Sequence, residues 1–137
     1  MDTSVLAGLF IEKDAFASRS VKFFTETSEI FVISDFAAAE FASVVTRVVR
    51  MNEITEPEAR AIFVGFDNWR ARFADEEDVV SSDIQDATAI IRRLDLNIRA
   101  PDAINLAVAQ RLRASIATFD RRMTDNARAL GIAVAAI

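Results

Sequence analysis

Short β-branched runs alternate with longer stretches of helical periodicity along this chain, and that alternation restricts its fold more than any other feature. Ile30–Ser34 (IFVIS) is an apolar run of the kind that fills a buried parallel strand. Ser34 then caps a helix whose N-terminus favours Asp35, and which carries Phe36, Phe41, Val44, Val45, Val48 and Val49 on one face. Thr55 and Glu58 stand at capping-box spacing, with Pro57 tolerated in the first turn. The helix they open runs to about Ala74 and turns Ile62, Phe63, Phe66, Trp69 and Phe73 inward. Asp75–Asp78 reads as a solvated acidic loop leading into a short strand over Val79–Ser81. Ser82 followed by Gln85 starts another helix, through Ile84, Ala87, Ile90, Ile91 and Leu94. Pro101 begins a further one through Ala103, Ile104, Ala107 and Val108, and Ser115–Thr118 (SIAT) reads as a strand. A short helix over Arg121–Leu130 ends with Gly131 in the position after its last turn, and Ile132–Ile137 forms a last strand. Such an order implies an α/β domain with a central, mostly parallel sheet flanked by helices.

The 137 residues fit one domain over 1–137, and an apolar fraction of 52% with 11 Phe supplies a sizeable core. No apolar run reaches the length of a membrane span and nothing at the start resembles a signal peptide. The expectation is a soluble cytoplasmic protein without a membrane partner. The absences restrict chemistry further. With 0 Cys and 0 His the chain has no thiol nucleophile, no imidazole base and no His/Cys zinc site. Its catalytic options are carboxylates, hydroxyls, Lys or Arg, or a metal held by oxygen, which suits hard cations such as Mg²⁺ and Mn²⁺. A net charge of −5 points away from a simple nucleic-acid-binding module. Yet every basic residue except Lys13 and Lys22 is an arginine, the side chain that grips phosphate bidentately and stacks on bases; a GC-rich genome produces the same usage.

Four acids are not explained as solvated helix faces or loops. Asp2 precedes the apolar helix Val5–Ile11. Glu40 lies four residues after Phe36 and four before Val44, so it shares their apolar face. Asp102 sits in the first turn of an Ala-rich helix, and Asp120 follows the strand ending at Thr118. In a parallel α/β sheet such positions, including the first-turn residues Glu40 and Asp102, gather at the carboxyl edge of the strands. Carboxylates crowded together raise one another's pKa, and a divalent cation removes that conflict while activating water for hydrolysis. A phosphoacceptor signalling domain also groups Asp residues at such an edge, but it needs a Lys near its last strand, and both lysines here are N-terminal.

Several segments fit one known pattern. Asp2-Thr3-Ser4-Val5-Leu6, then Leu9-Phe10, matches a DTSxL motif. Ala39-Glu40-Phe41 follows a strand and a Ser, as in an acidic second motif. Ala100-Pro101-Asp102-Ala103-Ile104-Asn105-Leu106-Ala107-Val108-Ala109 matches DAxxLA, and Thr118-Phe119-Asp120-Arg121-Arg122-Met123 matches TxD before a short helix. With these four motifs in order, the chain resembles the PIN domain family, and within it the VapC-like toxins of bacterial toxin–antitoxin pairs.

The resemblance implies a PIN-like fold and a Mg²⁺-dependent endoribonuclease, with Mn²⁺ as an alternative metal. It puts catalysis and metal binding on Asp2, Glu40, Asp102 and Asp120 and gives Ser4 and Thr118 a supporting role; Asp125, in the helix after Asp120, is placed by sequence to extend the cluster. Arg99, Arg121 and Arg122 are the arginines best placed by sequence to hold an RNA backbone. The resemblance also implies a VapB-like antitoxin, a homodimer, and operator DNA bound only through the antitoxin. Phe16, Phe23 and Phe24, with Phe10 nearby, offer an apolar groove for a partner helix, against the plainer reading of core packing. A PIN nuclease of RNA processing and a non-catalytic PIN scaffold are the alternatives, though scaffolds usually lose acidic positions. Two features depart from the family pattern. Asn105 stands where relatives often have His, which removes a polar contact but no metal ligand. Only Met1 precedes Asp2, where relatives carry a full central strand; the favoured expectation is a start further upstream, and the other is different pairing near Asp2.

Overall fold

Ser34 ends a strand and caps a helix in one residue, and this join organises half of the computed structural model, which describes residues 1–137. The elements in chain order are α1 (Thr3–Phe10), α2 (Ala17–Glu26), β1 (Phe31–Ser34), α3 (Asp35–Arg50) and α4 (Glu56–Phe73). β2 (Ala74–Glu77), α5 (Ser81–Ile91), α6 (Ala100–Leu112) and α7 (Arg121–Ala129) follow. The Ser34 hydroxyl accepts from Ala37 N at 3.0 Å, and α3 then buries Ala37, Phe41, Val45 and Val48. The capping box of α4 forms as its spacing predicts, with Thr55 N donating to Glu58 Oε2 at 2.6 Å. Phe41, Leu6, Ile33, Phe66 and Trp69 belong to one core shared by α1, β1, α3 and α4. Fully burying a side chain such as Phe41 contributes about 2–3 kcal/mol. Two smaller cores lie on either side of α6, one around Leu106, Ile116 and Met123, the other around Ala87, Ile90 and Ala103.

The architecture is the mixed α/β one that the alternation implies, with helix dominating. Parallel pairing is present but short. β1 and β2 run parallel in the register Phe31↔Ala74 to Ser34↔Glu77, and Ile116 and Val134 make one parallel bridge. The expected strands over Ser115–Thr118 and Ile132–Ile137 are thus reduced to that bridge. Met1 and Asp2 join the two halves: the Met1 ammonium donates to Val32 O and Asp2 N donates to Ala117 O, both at 2.9 Å. Cavities of about 260 and 360 Å³ flank Met1, between Val32 and Ser115. Burial lowers the ammonium from 8.0 to about 6, against the opposing charge of Asp2.

Four expectations need correction. The acidic stretch is a strand: β2 covers Ala74–Glu77, because backbone pairing to β1 holds an edge strand whatever its side chains, and Arg70 and Arg111 bind its Glu76 and Glu77. Val79–Ser81 is the entry to α5 and no strand; Val79 N donates to Asp35 Oδ1 at 3.0 Å. Asp83, not the pair Ser82 and Gln85, closes the start of α5 by accepting from Val80 N at 2.9 Å. Only Asp83, Ala87 and Ile90 of that helix are buried, while Ile84 and Ile91 are exposed and Leu94 lies past its end, 98% exposed. Beyond these, α2 is a helix absent from the expected order of elements. Its start is marked only by Asp14, whose carboxylate accepts from Phe16 N at 2.8 Å.

α2 packs on α1 through Gly8 and the buried Ser20. A Cβ on Gly8 would lie 2.3 Å from Ser20 Oγ and 3.1 Å from the Phe16 carbonyl. Gly8→Ala is therefore expected to destabilise the protein by about 1–3 kcal/mol, read as a lowered denaturant midpoint. No helix is long and apolar enough to cross a membrane.

Candidate active site

Four carboxylates approach one another from four separate elements. Asp2 is the N-cap of α1 and Asp120 the N-cap of α7, while Asp102 lies in the first turn of α6. Each of these three thus faces the positive end of a helix dipole. Glu40 lies in the second turn of α3 rather than the first, half-buried on the face it shares with Phe36 and Val44. The charges of Asp2 and Asp102 act on Glu40, and those of Asp120 and Asp2 act on Asp102, so all four belong to one electrostatic group.

Each is held differently. Asp2, 8% exposed, directs Oδ2 at two hydroxyls: Ser4 Oγ donates to it at 2.5 Å and Thr118 Oγ1 at 2.7 Å. Those hydroxyls in turn accept from Phe119 N and Asp120 N, both at 3.0 Å, which ties the α1 N-terminus to the segment before α7. Ser4 and Thr118, the two polar residues of the first and fourth motifs, are thus the side chains that hold Asp2. Asp120 Oδ1 accepts from Arg122 N at 2.7 Å and Met123 N at 3.1 Å. Glu40 Oε2 accepts from Asn105 Nδ2 at 2.7 Å. In all three, one oxygen is fixed by protein donors while the other accepts no hydrogen bond from the protein.

Electrostatics run against this crowding. Burial pushes the Glu40 carboxyl above its ordinary value; the Asn105 hydrogen bond opposes that, and the charges of Asp2 and Asp102 reinforce it. Asp102 is likewise raised, by burial first and then by the charge of Asp120, with Arg122 opposing. The one basic side chain in an ion pair with the group is Arg122, 3.9 Å from Asp120 Oδ2, and its buried Nε has no hydrogen-bond partner. All the available ligands are hard oxygens, which fits Mg²⁺ or Mn²⁺ and no softer metal. As they stand, no three acidic side chains are grouped closely enough to hold an ion.

Some expected members lie elsewhere. Asp125 is exposed on α7, beside an open cavity of about 570 Å³ that Asp95, Arg121 and Arg122 also line. Arg99 and Arg121 are exposed, and Arg122 alone is half-buried beside the carboxylates. The proposed Phe groove is largely occupied by its own protein. Phe10 packs on Phe41, Phe66 and Trp69, Phe24 on Phe31 and Trp69, Phe23 on Phe31, and Phe16 on Phe119. Asn105 reverses the reading of it as a lost contact, since it supplies the one hydrogen bond that Glu40 accepts. The available signal was its position: a polar side chain one helical turn past Asp102, amid Ala103, Leu106, Ala107 and Val108.

Residues 1–129 match the PIN domain family. None of the curated proteins matches the chain. Among solved structures, the crystal structure of Mycobacterium tuberculosis VapC20, a sarcin–ricin loop cleaving toxin, is similar with a TM-score of 0.73 and 16% identity. The similarity covers 90% of this chain and 91% of that one, and at such identity it is a likeness of fold.

Proposed function

We propose, from the premise that this chain belongs to the PIN domain family, that it is a Mg²⁺- or Mn²⁺-dependent endoribonuclease and the toxin of a VapBC-type toxin–antitoxin pair. The observation that carries the reading is the arrangement of Asp2, Glu40 and Asp120. Each presents one oxygen without a hydrogen bond while its other oxygen is held by protein donors. The raised Glu40 and Asp102 carboxyls support it, because a cation is the partner this group lacks. The sarcin–ricin loop cleaving toxin among similar folds is consistent with that substrate class.

Asp2, Glu40, Asp102 and Asp120 would hold the metal through their carboxylate oxygens. When bound, a divalent cation supplies charge stabilisation at the phosphoryl group and a more acidic water. The chain's own contribution is orientation. Ser4 and Thr118 fix the Asp2 carboxylate, the backbone of α7 fixes Asp120, and the three helix N-termini lessen the repulsion among the acids. Arg122, part-exposed with its Nη2 3.9 Å from Asp120 Oδ2, would hold a phosphate of the strand being cut through its terminal nitrogens. Arg122→Gln is expected to weaken binding of uncleaved RNA about tenfold and to reduce its salt slope by about one, measured by fluorescence anisotropy at several ionic strengths.

The toxin reading brings with it a cytoplasmic site of action, a VapB-like antitoxin that blocks the acidic site, a homodimer, and operator DNA reached through the antitoxin. It is tested in cells. Induced expression of the chain should arrest growth and fragment RNA, while Glu40→Gln at equal abundance does neither and a co-expressed small neighbour-encoded protein suppresses the arrest. Normal growth with intact RNA would overturn it.

A further inference from the structure

Among the four carboxylates, Glu40 has the longest side chain and the fewest constraints from its own helix. Asp2 and Asp120 are gripped by backbone N–H groups at the starts of α1 and α7. Glu40 sits inside α3, where the backbone N–H groups are committed to the helix, so nothing local can hold its carboxylate. A free Glu side chain carries rotamer entropy that fixing it must overcome. Its one tether comes from 65 residues away: Asn105 Nδ2 to Oε2 at 2.7 Å.

Asn105 is suited to that task. It is 7% exposed, in a run of α6 where Ala103, Leu106, Ala107, Val108 and Ala109 are all buried, so the surrounding packing restricts its own rotamers. It lies one helical turn beyond Asp102, on the same side of α6. That one turn therefore carries one carboxylate of the cluster and the donor that aims another. The hydrogen bond occupies Oε2 only, and no protein donor reaches Oε1.

We infer that Asn105 is the positioning residue for Glu40, fixing its carboxylate so that Oε1 is presented to a divalent cation. The inference rests on the metal-dependent reading above. A neutral amide does this without competing for the metal: Nδ2 is a donor only, whereas an acid here would add a fifth negative charge and a base would pair with the carboxylate outright. Groups that orient metal-ligating side chains typically change metal affinity by about 10–100-fold when removed.

The test is a double-mutant cycle read as Mn²⁺ affinity, by calorimetry on RNA-free protein, with Asn105→Leu, Glu40→Gln and the two combined. Leucine keeps the volume and removes the donor. Asn105→Leu is expected to weaken Mn²⁺ about 10–100-fold in the parent chain, and by less than about threefold in the Glu40→Gln background. Weakening of equal size in both backgrounds would overturn the inference, since Asn105 would then act on the fold and not through Glu40. So would Mn²⁺ affinity within about twofold of the parent in Asn105→Leu, provided the parent binds and cleaves RNA; the metal-dependent reading would survive that result. A parent chain that binds no Mn²⁺ would sink both. Should Asn105→Leu fail to fold, Asn105→Ala carries the same cycle, because it removes the donor without adding bulk.

Discussion

Asp102→Asn is expected to lose RNA cleavage by about a thousandfold or more and, in the absence of divalent metal, to melt higher than the parent chain at pH 7. The first half follows from removing one of four metal-facing acids; a thousandfold corresponds to about 4 kcal/mol of transition-state stabilisation. The second follows from the raised Asp102 carboxyl. A carboxyl raised above its unfolded value favours folding while protonated, and that contribution is lost as pH rises through the folded value. At pH 7 the ionised Asp102 therefore opposes folding, and the neutral amide relieves it. The helix dipole acts the other way, since a first-turn acid is favoured by up to about 1 kcal/mol. The upward shift itself comes from burial first and then from the charges of Asp120 and Asp2, against Arg122 and the Arg99 backbone.

Two controls separate this account from a plain loss of structure. The melting advantage of Asp102→Asn should shrink as pH falls below the ordinary Asp range, where the parent's carboxyl is protonated too. Adding Mn²⁺ should reverse the order. A ligand at one hundred times its dissociation constant stabilises the protein that binds it by about 2.7 kcal/mol, and only the parent retains the site. Calorimetric melting with and without Mn²⁺ checks both. An Asp102→Asn protein that melts lower in both conditions would contradict the electrostatic argument.

The largest loss of stability is expected at a residue outside the active site. Arg111, near the end of α6, reaches across to β2 and α5. Its Nε donates to Asp83 Oδ1 at 2.7 Å and Nη2 to Oδ2 at 3.0 Å, while Nη1 donates to Glu77 Oε1 at 2.7 Å and Nη2 also to Asp78 O at 3.0 Å. Asp83 is 0% exposed. Burial alone would raise its carboxyl, but hydrogen bonds from Arg111 and Val80 N, with the charge of Arg111, hold it below the ordinary value. Removing the arginine leaves Asp83 without the counter-charge and the two hydrogen bonds that offset its burial. Arg111→Ala should therefore destabilise by about 3–5 kcal/mol and lower Tm by about 10–20 °C. Arg111→Lys should recover only part, because an ammonium cannot bind both Asp83 oxygens and Glu77 in one plane. A second change, Asp83→Asn, should restore much of the loss. The sign of the pH dependence is fixed too. With its folded value depressed, Asp83 stabilises above its unfolded value, and that support fades as pH falls through the folded one. The gap between parent and Arg111→Ala therefore narrows in acid. A gap that widens there would contradict the pairing.

What the sequence made legible and what it concealed divide along physical lines. The four acids could be picked out because each sits at an element boundary or on an apolar face, where an acid needs a reason. α3 and α4 announced themselves through Ser34, Thr55 and Glu58, since caps are local chemistry. β2 was hidden because its pairing uses backbone alone, and Ala-Asp-Glu-Glu carries no strand pattern. Asp83 looked like one more solvated helix acid, because the guanidinium that buries it lies 28 residues away. Asn105 was visible as a departure from the family pattern, but its meaning depended on a Glu brought to it from α3. α2 carries Ser20, Phe23 and Phe24 on one face, but its N-cap is Phe16, which makes no side-chain capping hydrogen bond, so no cap announced its start.

The central claim is that the acidic cluster cuts RNA with a metal it binds. It is tested most directly by the rate of RNA cleavage against free Mn²⁺, starting from metal-stripped protein. The account predicts no cleavage above background in chelator and a saturable rise as Mn²⁺ is added. The midpoint should move to higher Mn²⁺ as pH falls toward 5, because the raised Glu40 and Asp102 carboxyls take up protons in competition with the ion. Cleavage that persists undiminished in chelator, or that Glu40→Gln and Asp102→Asn leave intact, would contradict it.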